Sequence, residues 1–234
     1  MKKFIFFDLD GTLIFDDKEL SNDTKDCLRT LDIKYGLCTN RPLSDIPTLD
    51  FLSNNKNYIC EGGVVSYDYK KNKLNLNEKA KNINHKSIKK ISLEFLKEKG
   101  LSINLRQNIN RIYSSTLYFE RPLESDTILS LGRMVTDFLG SNYEFEVLSE
   151  TKMLFTIKNI SKGQMIKNIM KENFEYYLIS DDEKIEKDEK IENLVYISID
   201  PNNSVFNESC DFVSSNDFNR RLIDVILYIK NKQI

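Results

Sequence analysis

Histidine is almost absent from this chain, and its few cysteines follow no pattern that would bind a metal. His85 is the single histidine of 234 residues, so neither a Ser-His catalytic pair nor a histidine-rich metal site is expected. The cysteines at positions 27, 38, 60 and 210 lack metal-type spacing. This cysteine usage fits a reducing cytoplasm.

Neither sign of charge is in excess, and no apolar stretch is long. The chain has 34 basic and 36 acidic residues and a net charge of −2. Without a basic stripe that carries interleaved aromatic residues, no nucleic-acid partner is expected. No stretch is apolar enough to span a membrane, and Met1 to Lys3 leads into a strand that Asp8 interrupts, not into a signal sequence. We therefore expect no membrane partner and a cytoplasmic location.

The first apolar run of the chain ends in two closely spaced carboxylates. Residues 4–7 have the length of a buried parallel strand, and Asp8 and Asp10 follow directly, with Gly11 free to turn the chain. Two carboxylates at the end of a sheet are costly unless a cation lies there. They suit phosphoryl transfer, in which one attacks phosphorus and the other moves a proton. A strand that ends in an ordinary Asp-Gly turn is the alternative.

The segment Asp8-Leu9-Asp10-Gly11-Thr12 resembles the first motif of the haloacid dehalogenase-like phosphatases. Three further segments resemble the other motifs of that family, in the family's order. They are Thr39-Asn40-Arg41 after an apolar run, Ser161-Lys162-Gly163 at a helix start, and Asp181-Asp182 after another apolar run.

The fourth of these motifs departs from the family pattern. Ser180 stands where the sugar-phosphate branch has Gly, and Lys184 and Ile185 stand where polar or acidic residues are usual. Asp182 or Glu186 could supply the second acid. If neither Asp181 nor Asp182 belongs to this motif, Glu186 and Asp188 are the next candidates.

The order of predicted elements indicates an α/β fold with an inserted domain. Strands and helices alternate over residues 1–80 and 159–234, which predicts a parallel sheet with helices on both faces. Residues 81–158 follow the order αββαββ, which predicts an α+β domain with an antiparallel sheet. This insert resembles the C2-type cap of the family's IIB branch, and the resemblance implies a Rossmann-like core. That branch includes trehalose-phosphate and sucrose-phosphate phosphatases and phosphomannomutases.

The predicted cap strands have one apolar face and one polar face. The apolar face is expected to pack on the two cap helices. The polar face suits a polyhydroxylated substrate held between cap and core, although it could also be an ordinary solvent-exposed face. Its candidate substrate contacts are Arg106, Thr116, Tyr118 and Lys152.

The resemblance implies a role for each carboxylate. Asp8 would be the nucleophile that forms an aspartyl-phosphate, and Asp10 would protonate the leaving oxygen and then activate water. Mg²⁺ would be held by the Asp8 carboxylate, the Asp10 backbone carbonyl and Asp181, because it prefers oxygen ligands. Asp182 would be a further ligand or would orient one.

The resemblance also assigns the phosphate contacts. Thr39, Asn40 and neighbouring amides would bind the phosphate, and Lys162 would place a positive charge against it and the nucleophile. A cation at a helix start opposes the helix dipole, which favours a paired role for Lys162 over an ordinary one. Arg41 could support the site from behind or lie on the surface. Glu61 stands where the branch commonly has a substrate-binding Asn, and it could simply be part of a turn.

These observations and the resemblance predict an enzyme, a Mg²⁺-dependent phosphatase that acts on a small phosphorylated substrate, a sugar phosphate or a related phosphorylated polyol. One alternative is a phosphosugar mutase of the same branch. The other is a binding or regulatory protein of this fold with weak catalysis, which the altered motif at Asp181 favours and the intact Asp8 and Asp10 oppose. The sequence does not indicate the oligomeric state.

Overall fold

The computed structural model describes residues 2–14, 22–46, 57–181, 191–200, 202, 207–208, 210–214 and 220–232. The chain divides into two compact units, of which the first comprises Met1–Asn77 and Ser161–Ile234 and the second Glu78–Ile160. Within the described ranges, no helix combines the length and apolar character needed to cross a bilayer.

Twelve strands and five helices are described. In chain order they are β1 (Lys2–Phe7), α1 (Asn22–Arg29), β2 (Lys34–Cys38), β3 (Asn57–Cys60), β4 (Val65–Asp68), β5 (Lys73–Leu76), α2 (His85–Glu98), β6 (Leu105–Gln107), β7 (Ser115–Phe119), α3 (Ser125–Leu139), β8 (Tyr143–Ser149), β9 (Lys152–Ile157), α4 (Lys162–Ile169), β10 (Phe174–Ser180), β11 (Leu194–Ser198), β12 (Phe212–Val213) and α5 (Arg221–Asn231).

The first unit contains an eight-stranded sheet in the order β12-β11-β10-β1-β2-β3-β4-β5. Its strands from β12 to β3 are parallel, whereas β4 and β5 form an antiparallel hairpin at one edge. The central strands are almost continuously apolar because a parallel sheet is covered on both faces. In register, Phe7 of β1 lies beside Leu37 of β2 and Ile179 of β10. The residues that follow these three strands therefore meet at one edge of the sheet.

Helices cover both faces of this sheet. On one face Ile5 and Phe7 pack with Leu28 of α1 and Val225 of α5. On the other face an apolar cluster contains residues of β1 and β10 together with Met165 of α4. This two-sided packing confirms the predicted fold class, a Rossmann-like parallel sheet.

The second unit is the predicted α+β domain. Its four strands form an antiparallel sheet in the order β6-β7-β9-β8, and α2 and α3 precede the two strand pairs. β6 and β7 are short, with three and five residues. His85 is structural here, since its ring nitrogens lie 2.7 Å from the Arg111 carbonyl oxygen and 3.2 Å from Ser115 Oγ.

Candidate active site

Asp8 is buried at the carboxyl end of β1 and has three hydrogen-bond donors around its carboxylate. Its side chain is 7% exposed, and its backbone N–H donates to the Ile179 carbonyl of β10 at 2.8 Å. Oδ1 accepts a hydrogen bond from the Leu9 N–H at 2.7 Å. Oδ2 accepts one from Ser180 Oγ at 3.1 Å and forms an ion pair with Lys162 Nζ. These donors offset the cost of burying a charged carboxylate.

Lys162 is held in place by the start of α4. Ser161 caps this helix, and its Oγ accepts a hydrogen bond from the Gln164 N–H at 3.1 Å. Gly63 lets the chain approach closely, because a Cβ at this residue would overlap the Ser161 carbonyl. Since a cation opposes the positive end of the helix dipole, the Asp8 carboxylate supplies the compensating charge for Lys162. The predicted pairing of Lys162 is therefore seen with Asp8.

Asp181 follows β10 and turns toward the loop after β1. Its Oδ1 accepts a hydrogen bond from Thr12 Oγ1 at 3.3 Å. Gly11 lies against the same carboxylate, and a Cβ at Gly11 would overlap Asp181 Oδ2. Gly11 also has a φ of +74°, a conformation that glycine adopts without strain. Glycine is thus needed at position 11 for two separate reasons.

Asp10 is held by Arg41. Arg41 Nε lies 2.9 Å from Asp10 Oδ2 and 3.1 Å from Oδ1, and a terminal guanidinium nitrogen also contacts Oδ1. The Asp10 side chain is 52% exposed, in contrast to that of Asp8. The buried carboxylate and the accessible one therefore have different surroundings, although they are two residues apart.

The loop after β2 brings Thr39 to the same edge of the sheet. Thr39 is fully buried, and its Oγ1 accepts a hydrogen bond from the Arg41 N–H at 3.1 Å. The Arg41 carbonyl accepts one from the Glu61 N–H at 3.0 Å, which ties this loop to the turn after β3. Asn40 belongs to the same arrangement, since its Oδ1 would lie 3.1 Å from a Cβ at Gly62.

Glu61 is an unusual residue in this turn. It is 4% exposed and has a φ of +48°, which is uncommon for a residue other than glycine. Such conformations cost about 1–3 kcal/mol and are found often at functional sites. Glu61 opens the single helical turn Glu61–Gly63, which leads into β4.

Two cysteines lie behind the site. Burial raises the pKa of the Cys38 thiol well above its ordinary value, although the ammonium of Lys162 acts in the opposite direction. Burial also raises the pKa of the Cys60 thiol, and the neighbouring Glu61 adds to this effect. A buried, protonated thiol is a poor nucleophile, so these residues behave as small core side chains.

Three of the four candidate substrate residues of the second unit are cross-strand neighbours in its sheet. Arg106 lies opposite Tyr118 in the β6–β7 pair, and Tyr118 lies opposite Lys152 in the β7–β9 pair. Lys152 Nζ is 5.5 Å from the centre of the Tyr118 ring. Thr116 is fully buried, and its Oγ1 has no hydrogen-bond partner among the described residues.

The oxygen donors at this edge of the first sheet suit Mg²⁺. The Asp8 and Asp181 carboxylates are hard oxygen ligands that follow adjacent parallel strands. The described ranges contain no group of three or more His, Cys, Asp or Glu side chains arranged for a metal. Mg²⁺ commonly uses one or two carboxylates and keeps several waters, so two carboxylates and a backbone carbonyl fit it. Asp182, Glu186 and Asp188 lie outside the described residues.

Sequence reasoning missed two contacts in this site. It treated Ser180 only as a departure from a glycine, whereas Ser180 donates to the Asp8 carboxylate. It left Arg41 without a defined contact, whereas Arg41 binds Asp10. The parallel register could have indicated the first contact, because Ser180 follows Ile179, which lies beside Phe7. The second depends on the path of a loop and leaves no periodic pattern in the sequence.

Comparison with known proteins gives one family. The family model for haloacid dehalogenase-like hydrolases matches residues 5–219. No curated protein matches the chain by sequence. The chain therefore belongs to the haloacid dehalogenase-like hydrolases, which confirms the predicted family and the prediction of an enzyme.

Solved structures with the same fold are numerous but distant in sequence. A haloacid dehalogenase-like hydrolase from Bacteroides thetaiotaomicron has a TM-score of 0.71 at 14% identity, over 98% of this chain and 100% of that one. A haloacid dehalogenase-like hydrolase from B. subtilis has a TM-score of 0.66 at 15% identity, over the full length of both chains (100% and 100%). The HAD subclass IIB sugar phosphatase BT4131 has a TM-score of 0.65 at 13% identity, over 98% of each chain.

Proposed function

We propose that this protein is a Mg²⁺-dependent phosphatase that hydrolyses a phosphate monoester of a sugar or related polyol through an aspartyl-phosphate on Asp8. The observation that carries the proposal is the setting of Asp8, a buried carboxylate at a strand end beside a buried lysine. A second carboxylate, on Asp10, lies two residues away and is accessible. Family membership supports a hydrolase, and the fold shared with BT4131 supports a sugar phosphate as substrate.

Asp8 acts as the nucleophile in the first step. A carboxylate oxygen of Asp8 attacks phosphorus, and the bond between phosphorus and the leaving oxygen breaks. Lys162 and Ser180 both bind Oδ2 and fix the rotation of the carboxylate about its side chain. Fixed orientation of the nucleophile is a large part of phosphoryl-transfer catalysis.

Asp10 handles the protons of both steps. In its acid form it donates a proton to the leaving oxygen, and the resulting carboxylate then accepts a proton from the attacking water. The water oxygen attacks phosphorus, the bond to the Asp8 oxygen breaks, and inorganic phosphate leaves, which regenerates the Asp8 carboxylate and the acid form of Asp10. The 52% exposure of the Asp10 side chain leaves it open to both the leaving group and water.

Asp8, Asp181 and the Asp10 backbone carbonyl would hold Mg²⁺, which would neutralise charge on the phosphoryl group when bound. Thr12 and Gly11 orient the Asp181 carboxylate for this purpose. Thr39 and Asn40 would donate to the phosphate oxygens. Asp182 remains a predicted further ligand.

The second unit would supply contacts to the sugar. Arg106, Tyr118 and Lys152 are cross-strand neighbours that combine hydrogen-bond donors with an aromatic ring, a combination that suits a polyhydroxylated substrate. Thr116 belongs to the same predicted set. The cytoplasmic location stays a prediction.

A screen of sugar phosphates with Mg²⁺ present tests this function. We expect phosphate release from at least one hexose or pentose phosphate, lost when the metal is chelated. Isomerisation of a hexose phosphate on addition of a sugar bisphosphate would show a mutase instead. No turnover on sugar phosphates or on an aryl phosphate, with and without Mg²⁺, would contradict the proposal and favour a binding protein.

A further inference from the structure

A cavity of about 310 Å³ lies in the first unit, away from the candidate active site. Phe4 and Tyr176 form part of its floor, and their ring centres are 5.8 Å apart. The Phe174 ring continues this aromatic group at 6.0 Å from Tyr176. A volume of this size is at the lower end of the range for small-molecule sites, roughly 300–1,000 Å³.

The cavity lies near the amino ends of the strands, whereas Asp8 follows the carboxyl end of β1. Lys34 lines the cavity and is level with Phe4 in the β1–β2 register. Phe4 precedes Asp8 by four residues, which corresponds to about 13 Å along an extended strand. A ligand in this cavity would therefore be separate from the carboxylates.

Lysines from three separate segments of the chain converge on this cavity. The lysines are Lys34, Lys70, Lys71, Lys73 and Lys171. Among the described lining residues, Asp68 is the one acid, and it pairs with Lys71 at 3.5 Å. The β4–β5 hairpin supplies three of these lysines, and β2 and the segment after α4 bring Lys34 and Lys171 to the same place. Charges of one sign around a concave apolar surface concentrate anions there.

The cavity wall also carries neutral polar groups that could orient a ligand. Ser66 of β4 is 4% exposed, and its Oγ accepts a hydrogen bond from Asn75 Nδ2 at 3.3 Å. Both residues line the cavity, as do the aromatic residues and the lysines of the β4–β5 hairpin. The site thus combines an apolar floor, a polar wall and a cationic rim.

We propose that this cavity binds a small molecule that carries phosphate groups and a planar ring. Lysine ammonium groups bind phosphate as point charges, and aromatic side chains pack well against planar rings. ATP is a suitable probe because it has both parts, and adenosine and tripolyphosphate test each part alone. The inference does not depend on the proposed phosphatase activity.

Calorimetric titration of the full-length protein with ATP, in the absence of Mg²⁺, tests this site. We expect one bound ATP per chain, and binding at least tenfold weaker in Lys70→Glu/Lys73→Glu. Lys34→Glu, in a different strand, should also weaken binding. Adenosine and tripolyphosphate should each bind more weakly than ATP. If tripolyphosphate bound as tightly as ATP, the planar ring would contribute nothing to binding, and the proposal of a ligand with a planar ring would be wrong.

A matched control shows whether ATP binds at this cavity or responds only to the net charge of the protein. Lys86→Glu/Lys89→Glu makes the same charge change on exposed positions of α2 in the second unit, and it should bind ATP as the parent does. Thermal melting should show that all variants are folded. Absence of ATP binding, or binding unchanged in both Lys70→Glu/Lys73→Glu and Lys34→Glu, would overturn the inference.

Discussion

Arg41 binds the carboxylate of Asp10 at two points, with Nε 2.9 Å from Oδ2 and a terminal guanidinium nitrogen in contact with Oδ1. This two-point contact fixes the plane of the carboxylate, which a lysine at the same position would not do. Arg41 is itself fixed, because its N–H donates to Thr39 Oγ1 and its carbonyl accepts from the Glu61 N–H. We infer that Arg41 positions Asp10.

Arg41→Gln should lower kcat/KM, because it removes the contact that orients the Asp10 carboxylate. The loss of kcat/KM should be larger for a sugar phosphate than for an aryl phosphate, because an acidic phenol leaves with little help from a general acid. In an Asp10→Asn background the same substitution should have little further effect, with a coupling energy on the order of 1–3 kcal/mol. Steady-state kinetics of the four proteins on both substrates measure this coupling.

The control for that experiment is Arg133→Gln, an equivalent change on the exposed side of α3. It should leave kcat and KM unchanged for both substrates. If Arg41→Gln weakened activity as much in the Asp10→Asn background as in the parent, Arg41 would act on the substrate directly and not through Asp10.

Lys162→Met should destabilise the fold, because it removes the ammonium group that forms an ion pair with the buried Asp8 carboxylate. Breaking a buried ion pair at one partner costs about 3–5 kcal/mol. Combining it with Asp8→Asn should recover much of that loss, because the remaining carboxylate charge is removed. Denaturant unfolding of Lys162→Met, Asp8→Asn and the double variant measures these free energies.

Lys167→Met is the matched control, since Lys167 is an exposed residue of the same helix. Its unfolding free energy should lie within about 0.5 kcal/mol of the parent. A similarly small effect for Lys162→Met would show that the pair with Asp8 contributes little to folding.

Gly11→Ala should impair the response to Mg²⁺, because the added methyl group displaces the Asp181 carboxylate. Gly100→Ala is a close control: its φ is +72° against +74° at Gly11, but its Cβ would meet nothing within 4 Å. In both variants the positive φ of an alanine should lower the free energy of unfolding by about 1 kcal/mol.

Only Gly11→Ala should also raise the Mg²⁺ concentration needed for half-maximal activity, and Asp181→Ala should abolish the metal response. Titration of Mg²⁺ against phosphate release separates the variants. Equal Mg²⁺ curves for Gly11→Ala and Gly100→Ala would show that Asp181 does not bind the metal.

The elements that could be predicted from sequence are those that repeat a local pattern. The apolar run before Asp8 and the Ser161 cap before Lys162 both have a short-range physical cause, so their strand and helix were predictable. The pair between Arg41 and Asp10 joins two loops 31 residues apart. The left-handed conformation of Glu61 likewise depends on tertiary packing, which no local propensity encodes.

The most direct test of the account is whether phosphate becomes bound to Asp8 during turnover. Radiolabelled substrate is mixed with excess enzyme and Mg²⁺, the reaction is stopped in acid within one turnover, and the labelled peptide is sequenced. The account predicts label on the peptide that contains Asp8, and no label on folded Asp8→Asn. Release of phosphate by the parent without label on the protein, or with label on another residue, would contradict covalent catalysis by Asp8.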